Sequence, residues 1–123
     1  MIHVGKLLDG RKDETLAEME ALRKASQGIC LKLIVEAPCL NDEQKVTVAR
    51  LASQARADFI KTCTGFSGAA TLYDIALLKS AAGDEVKIKA SGGIRTEAQA
   101  LAMAAVGADR IGTSHMLAIL GRS

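Results

Sequence analysis

The sequence has no tryptophan, one tyrosine and two phenylalanines, so aromatic residues make up only 2% of its 123 positions. Phe59, Phe66 and Tyr73 are too few for a stacking platform that binds single-stranded nucleic acid. The one proline, Pro38, argues against a chain rich in linkers or irregular loops. The three cysteines, Cys30, Cys39 and Cys63, are odd in number and lack C-x-x-C spacing. A disulfide framework and a thiolate zinc site are poorly supported, and the expected compartment is reducing and cytoplasmic. Neither charge sign dominates: the formal net charge is +2, with 24% charged residues. This balance predicts no nucleic-acid partner and no docking to an anionic membrane. No apolar run approaches the ~20 residues of a membrane helix, and residues 1–6 contain no signal-peptide core.

What the sequence does have is apolar mass, 49% of its residues, in a regular alternation. That is enough for one core, and no linker or composition shift divides the chain, so residues 1–123 read as a single domain. Short β-type runs cover 29–37, 58–62, 86–90 and 109–113. Between them lie helical stripes: Leu16, Met19 and Leu22; Val46, Ala49, Ala52 and Ala55; Leu72, Ile75 and Ala76; Ala98, Leu101, Ala102 and Ala105. Thr96 with Gln99 forms a capping box, Asn41 with Gln44 a looser one, and Thr71 is a third cap. Gly83 and Gly107 stand where helices should stop. Residues 1–5 read as the tail of another strand. The alternation predicts an α/β fold of four to five parallel strands joined by four full helices. A weak internal repeat supports stacked βα units: Ala57-Asp58-Phe59-Ile60-Lys61-Thr62 aligns with Ala108-Asp109-Arg110-Ile111-Gly112-Thr113.

In such folds ligands bind beyond the carboxyl ends of the strands. Lys61 and Lys89 fall near two of those ends. If they share a face, two ammonium groups in proximity lower one pKa, and a neutral amine can form a Schiff base with a carbonyl. On spacing alone they read more simply as solvated strand-end lysines. Ser91-Gly92-Gly93 and Gly112-Thr113-Ser114 suit either an anion cradle or plain tight turns. Arg95 reads as an anion partner or a solvated helix-start residue. Cys63 is either beside the chemistry or simply small and buried. Glu36 reads more simply as a solvated strand terminus than as a buried carboxylate. His3 and His115 lack a third ligand, so no metal site is expected.

At these strand ends the sequence resembles the deoxyribose-phosphate aldolases. Phe59-Ile60-Lys61-Thr62-Cys63-Thr64-Gly65-Phe66 is similar to their Schiff-base segment, with Cys63 where Ser is common. Lys87-Ile88-Lys89-Ala90-Ser91-Gly92-Gly93-Ile94-Arg95 resembles their second-lysine segment. Arg110-Ile111-Gly112-Thr113-Ser114 resembles the last strand and phosphate loop. Leu31-Lys32-Leu33-Ile34-Val35-Glu36 and Ile2-His3-Val4-Gly5 also match, in the family's order. The resemblance implies the second, C-terminal half of a (β/α)₈ arrangement, that is a partial (half) TIM barrel, since a full one needs about 250 residues. It implies reversible cleavage of 2-deoxy-D-ribose 5-phosphate to acetaldehyde and glyceraldehyde 3-phosphate, with no cofactor and no metal. Lys61 would form the imine and Lys89 would lower its pKa. Gly65, Gly92, Gly93, Gly112 and Ser114 would cradle the phosphate, with Thr64 near the reacting carbon. The chain departs from the family in His115, where Ser is usual. It also begins after the strand that carries the family's proton-relay aspartate. The alternative is a truncated, weakly active or inactive phosphate-binding half barrel. Either way, exposed sheet edges predict a homo-oligomer.

Overall fold

The computed structural model describes residues 1–122. Four runs of alternating or branched residues form strands: β1 (Lys32–Ile34), β2 (Phe59–Lys61), β3 (Lys87–Ser91) and β4 (Arg110–Gly112). They lie in the order β1-β2-β3-β4, and every neighbouring pair is parallel. Each parallel step needs a crossover, supplied by α3 (Asp42–Gln54), α4 (Leu72–Ala82) and α5 (Glu97–Ala105). The order has no reversal, so the sheet lacks the switch point of a doubly wound fold and follows barrel topology instead. Three further helices, α1 (Val4–Leu8), α2 (Lys12–Ala25) and α6 (Met116–Ile119), complete the described chain.

Caps fix where the crossovers begin. The Asn41 and Thr96 side chains each accept from the backbone of the third helical residue, and Gln44 and Gln99 reciprocate. The Thr71 hydroxyl accepts from Asp74 N. Each cap contributes about 1 kcal/mol. Gly83 closes α4 at φ 79°, a left-handed value that glycine adopts freely.

Period-two alternation gives the sheet two unlike faces. Leu33, Ile60, Ile88 and Ala90 point to the helices and pack with Met19, Val48, Ala49, Ala52, Ile75 and Leu78. The opposite face carries Lys32, Phe59, Lys61, Lys87, Lys89 and Arg110. Its register rows run Lys32–Phe59–Lys87 and Ile34–Lys61–Lys89–Arg110. The buried Phe59 ring there lies 4.6 Å from the Arg110 guanidinium, 5.8 Å from Lys32 Nζ and 5.9 Å from Lys87 Nζ.

Two expectations need correction. Residues 1–5 are not a fifth strand. Ile2 N donates to Ile34 O at 3.2 Å, but His3 then caps α1 by accepting from Lys6 N, and the chain turns into a helix. The α5 stripe of Ala98, Leu101, Ala102 and Ala105 is not the buried one. Ala100 and Met103 are buried, whereas Leu101 is 63% exposed. The helix beds on the sheet through its other side because β4 is the sheet's edge, and no described element covers the Leu101 side.

Candidate functional site

The parallel register places Lys61 directly beside Lys89 at the carboxyl ends of β2 and β3. Beyond that rung the two segments are stitched by side chains. Thr62 Oγ1 donates to Ser91 O at 3.0 Å and accepts from Ser91 N at 3.1 Å. Ser91 Oγ donates to Cys63 O at 2.7 Å, and Cys63 Sγ donates to Ser91 O at 2.9 Å. All three side chains are buried, so these bonds hold the lysine-bearing ends rigidly side by side. Cys63 is therefore a small buried residue of the framework. Burial pushes its thiol pKa up, away from thiolate chemistry.

A cavity of about 550 Å³ opens over this end of the sheet. Lys61, Thr64, Gly65, Lys89, Gly92, Gly93, Gly112 and Ser114 all line it, as do Arg95 and His115. The glycines serve close approach. A Cβ on Gly92, at φ 97°, would stand 2.6 Å from Cys63 Sγ. One on Gly112 would stand 3.0 Å from Lys89 Cε, so the missing side chain leaves room for the Lys89 stem. Thr113 Oγ1 donates to Ile94 O at 2.6 Å and accepts from His115 N at 2.9 Å, which ties the last loop to the Gly92-Gly93 turn.

The electrostatics are those of crowded cations. Burial, reinforced by the positive charges of Lys61, Lys32 and Arg110, holds the Lys89 pKa below the ordinary lysine value. Among the described residues no carboxylate forms an ion pair with Lys61 or Lys89. No group of three or more His, Cys, Asp or Glu side chains among them is placed to hold a metal.

Glu36 overturns its expectation. It is not a solvated terminus but buried, 7% exposed, with a left-handed φ of 52°. Its Oε1 accepts from Thr64 N at 3.0 Å and its Oε2 from Thr64 Oγ1 at 2.8 Å. Burial alone would raise its pKa. Hydrogen bonds from the Thr64 backbone, the Thr64 hydroxyl and Ser67, with the nearby Lys61 charge, outweigh burial and leave the pKa lowered. The sequence signal was a lone carboxylate closing an apolar strand at the lysine end of the sheet.

No protein-family model matches the chain. Curated proteins named deoxyribose-phosphate aldolase do. One from Dictyoglomus turgidum is 45% identical over 121 residues, which is 98% of this chain and 55% of that protein. A solved aldolase superposes with a TM-score of 0.91 at 37% identity, covering 98% of this chain and 55% of the other. A deoxyribose phosphate aldolase from Aeropyrum pernix, described as tetrameric, superposes with a TM-score of 0.81 at 32% identity, covering 89% and 49%. The chain spans about half the length of the curated relatives it matches. In sequence and in fold, this chain is similar over nearly its whole length to about half of a deoxyribose-phosphate aldolase.

Proposed function

We propose that this chain carries the Schiff-base half of a deoxyribose-phosphate aldolase. The reaction is reversible cleavage of 2-deoxy-D-ribose 5-phosphate to acetaldehyde and glyceraldehyde 3-phosphate. The observation that carries this reading is the register of Lys61 beside Lys89 at the floor of a glycine-lined cavity. Lys61 adds to the substrate aldehyde, and loss of water leaves a protonated imine on its nitrogen. As the hydroxyl beyond the bond being cleaved gives its proton to solvent, that cation withdraws the bond's electron pair, so glyceraldehyde 3-phosphate leaves and the acetaldehyde carbons remain as an enamine. The enamine is then protonated at carbon and hydrolysed, which releases acetaldehyde and frees Lys61. Lys89, whose pKa burial and neighbouring cations hold below the ordinary lysine value, stands beside Lys61 as the group that exchanges protons at the reacting end of the site. Gly65, Gly92, Gly93, Gly112 and Ser114 offer backbone and hydroxyl donors to the phosphate. Thr64 faces the reacting carbon. The active form is an assembly with at least one further copy, in the cytoplasm.

Borohydride trapping with acetaldehyde, read by intact mass and peptide mapping, tests the assignment. We expect a substrate-dependent adduct on Lys61 that Lys61→Arg abolishes in a chain that still folds. An adduct on Lys89, or one surviving in Lys61→Arg, gives the nucleophile to another residue. No adduct from folded wild type, together with saturable sugar-phosphate binding, would leave a phosphate-binding half barrel.

A further inference from the structure

A residue outside the two lysine segments holds the loop that follows Lys61. Val35 N donates to Lys61 O at 3.1 Å, and Ala37 N donates to the very next carbonyl, Thr62 O, at 2.8 Å. A regular parallel ladder would skip a residue, so β1 takes up one extra residue at Glu36, as a bulge does. The left-handed backbone of Glu36 accommodates that residue and re-aims its side chain at Thr64. A glutamate in this conformation is strained, and its side chain gains there the two bonds to Thr64 together with the one from Ser67.

These bonds dictate the polarity of Thr64. Its hydroxyl hydrogen is committed to the Glu36 carboxylate, and Phe66 N donates to its oxygen at 3.3 Å. Its oxygen therefore has one lone pair left, and no hydrogen to give. Thr64 lines the same cavity as Lys61.

We propose that Glu36 is a positioning residue for the imine chemistry. It fixes Thr64 as a hydrogen-bond acceptor toward the cavity, where the oxygen accepts a hydrogen bond from, and so orients, the carbinolamine hydroxyl that leaves Lys61 as water. This inference rests on the aldolase reading. Glu36→Gln supplies a carboxamide of the same shape whose NH₂ donates to Thr64 Oγ1, so the hydroxyl can turn outward as a donor.

Two measurements test it. Amide exchange reads the geometry: Thr64 N–H should lose protection in Glu36→Ala and keep most of it in Glu36→Gln. Equal protection in Glu36→Ala and wild type overturns the proposal whatever the chemistry does. Acetaldehyde trapping reads the role: Glu36→Gln should slow adduct formation on Lys61 roughly tenfold, the scale of one charge-assisted hydrogen bond. Thr64→Val should slow it similarly, and the double variant should be no slower than Thr64→Val. Wild-type rates in Glu36→Gln, or losses that multiply in the double variant, overturn the positioning role and leave the aldolase reading intact. No adduct from folded wild type overturns both.

Discussion

Two glycines at this site have the same chemistry and different structural duties. Gly92 sits at φ 97°, and an added Cβ would meet the buried Cys63 sulfur and the Gly68 carbonyl. Neither can retreat, because Cys63 is bonded to Ser91 O. Gly92→Ala should therefore lower stability by at least ~2 kcal/mol, with strain and overlap adding, as a urea midpoint will show. A Cβ on Gly112 would meet the flexible stem of Lys89 at 3.0 Å and, less tightly, the Cβ of buried Ser91 at 3.2 Å. Gly112→Ala should cost clearly less stability than Gly92→Ala, because its φ is not left-handed and its tightest contact is a mobile stem, yet it should slow trapping, because Lys89 Nζ shifts. If the two variants lose equal stability, this division of duty is wrong. At this scale the meeting of the lysines and glycines at one cavity was legible through the resemblance of their segments to an aldolase's, whereas spacing alone favoured solvated lysines. Glu36 was not, because its burial depends on a bulge, and bulges arise from how two distant segments register. The assignment of Gly112 to phosphate also omitted its second use, which depends on where the Lys89 side chain lies.

The internal repeat has a physical basis at the scale of elements. Asp58 Oδ2 accepts from Leu31 N, just ahead of β1, and from Arg23 of α2, both at 2.7 Å. Asp109 Oδ2 accepts from Ile88 N of β3 at 2.9 Å and pairs with Lys79 of α4 at 3.4 Å. In both, an aspartate opening one strand clasps the preceding strand and a cation from a helix. Asp109→Ala should cost about 1–2 kcal/mol by leaving Ile88 N–H unpaired. Bonds from the Leu31 backbone and Arg23 hold the Asp58 pKa below the usual aspartate value. Glu36 is lowered as well. The unfolded chain thus binds more protons in the acid range. Their stabilisation is complete above the ordinary carboxylate values and is lost as pH falls through the folded ones. Asp58→Asn should flatten that acid decline in urea midpoints taken between about pH 6 and about pH 3. An unchanged slope would remove Asp58 from the account. The alternation of strands with helices and three of the caps were legible because caps and period-two runs are local. The α5 face was misjudged because alanine stripes occur on both sides of that helix, and only tertiary packing selects between them.

The whole molecule leaves two surfaces uncovered. Near the β4 edge, Leu101, Met116, Leu117 and Leu120 are each more than half exposed. Apolar area of this kind marks an interface. Light scattering at micromolar concentration should show an assembly, and Leu101→Lys with Leu117→Lys should weaken it. A monomeric wild type would remove the argument. The other uncovered surface is the sheet face bearing Lys32, Lys61, Lys87, Lys89 and Arg110, none of which pairs with a carboxylate among the described residues. Two copies meeting through that face would set cation against cation, so the proposed assembly is expected through the apolar edge instead.

That one-signed face also makes the surrounding salt part of the protein's chemistry. Three cations share the single Phe59 ring, and Lys61 and Lys89 stand in the next row of the same face. Such a wall gathers counter-ions, and multivalent ones in preference to monovalent ones. A phosphate or sulfate medium therefore competes with a sugar phosphate for the lysine end of the sheet, and a chloride medium competes far less. Affinities measured in the first will read weaker than those in the second at equal ionic strength, and the ratio between them gauges how much of the binding is charge.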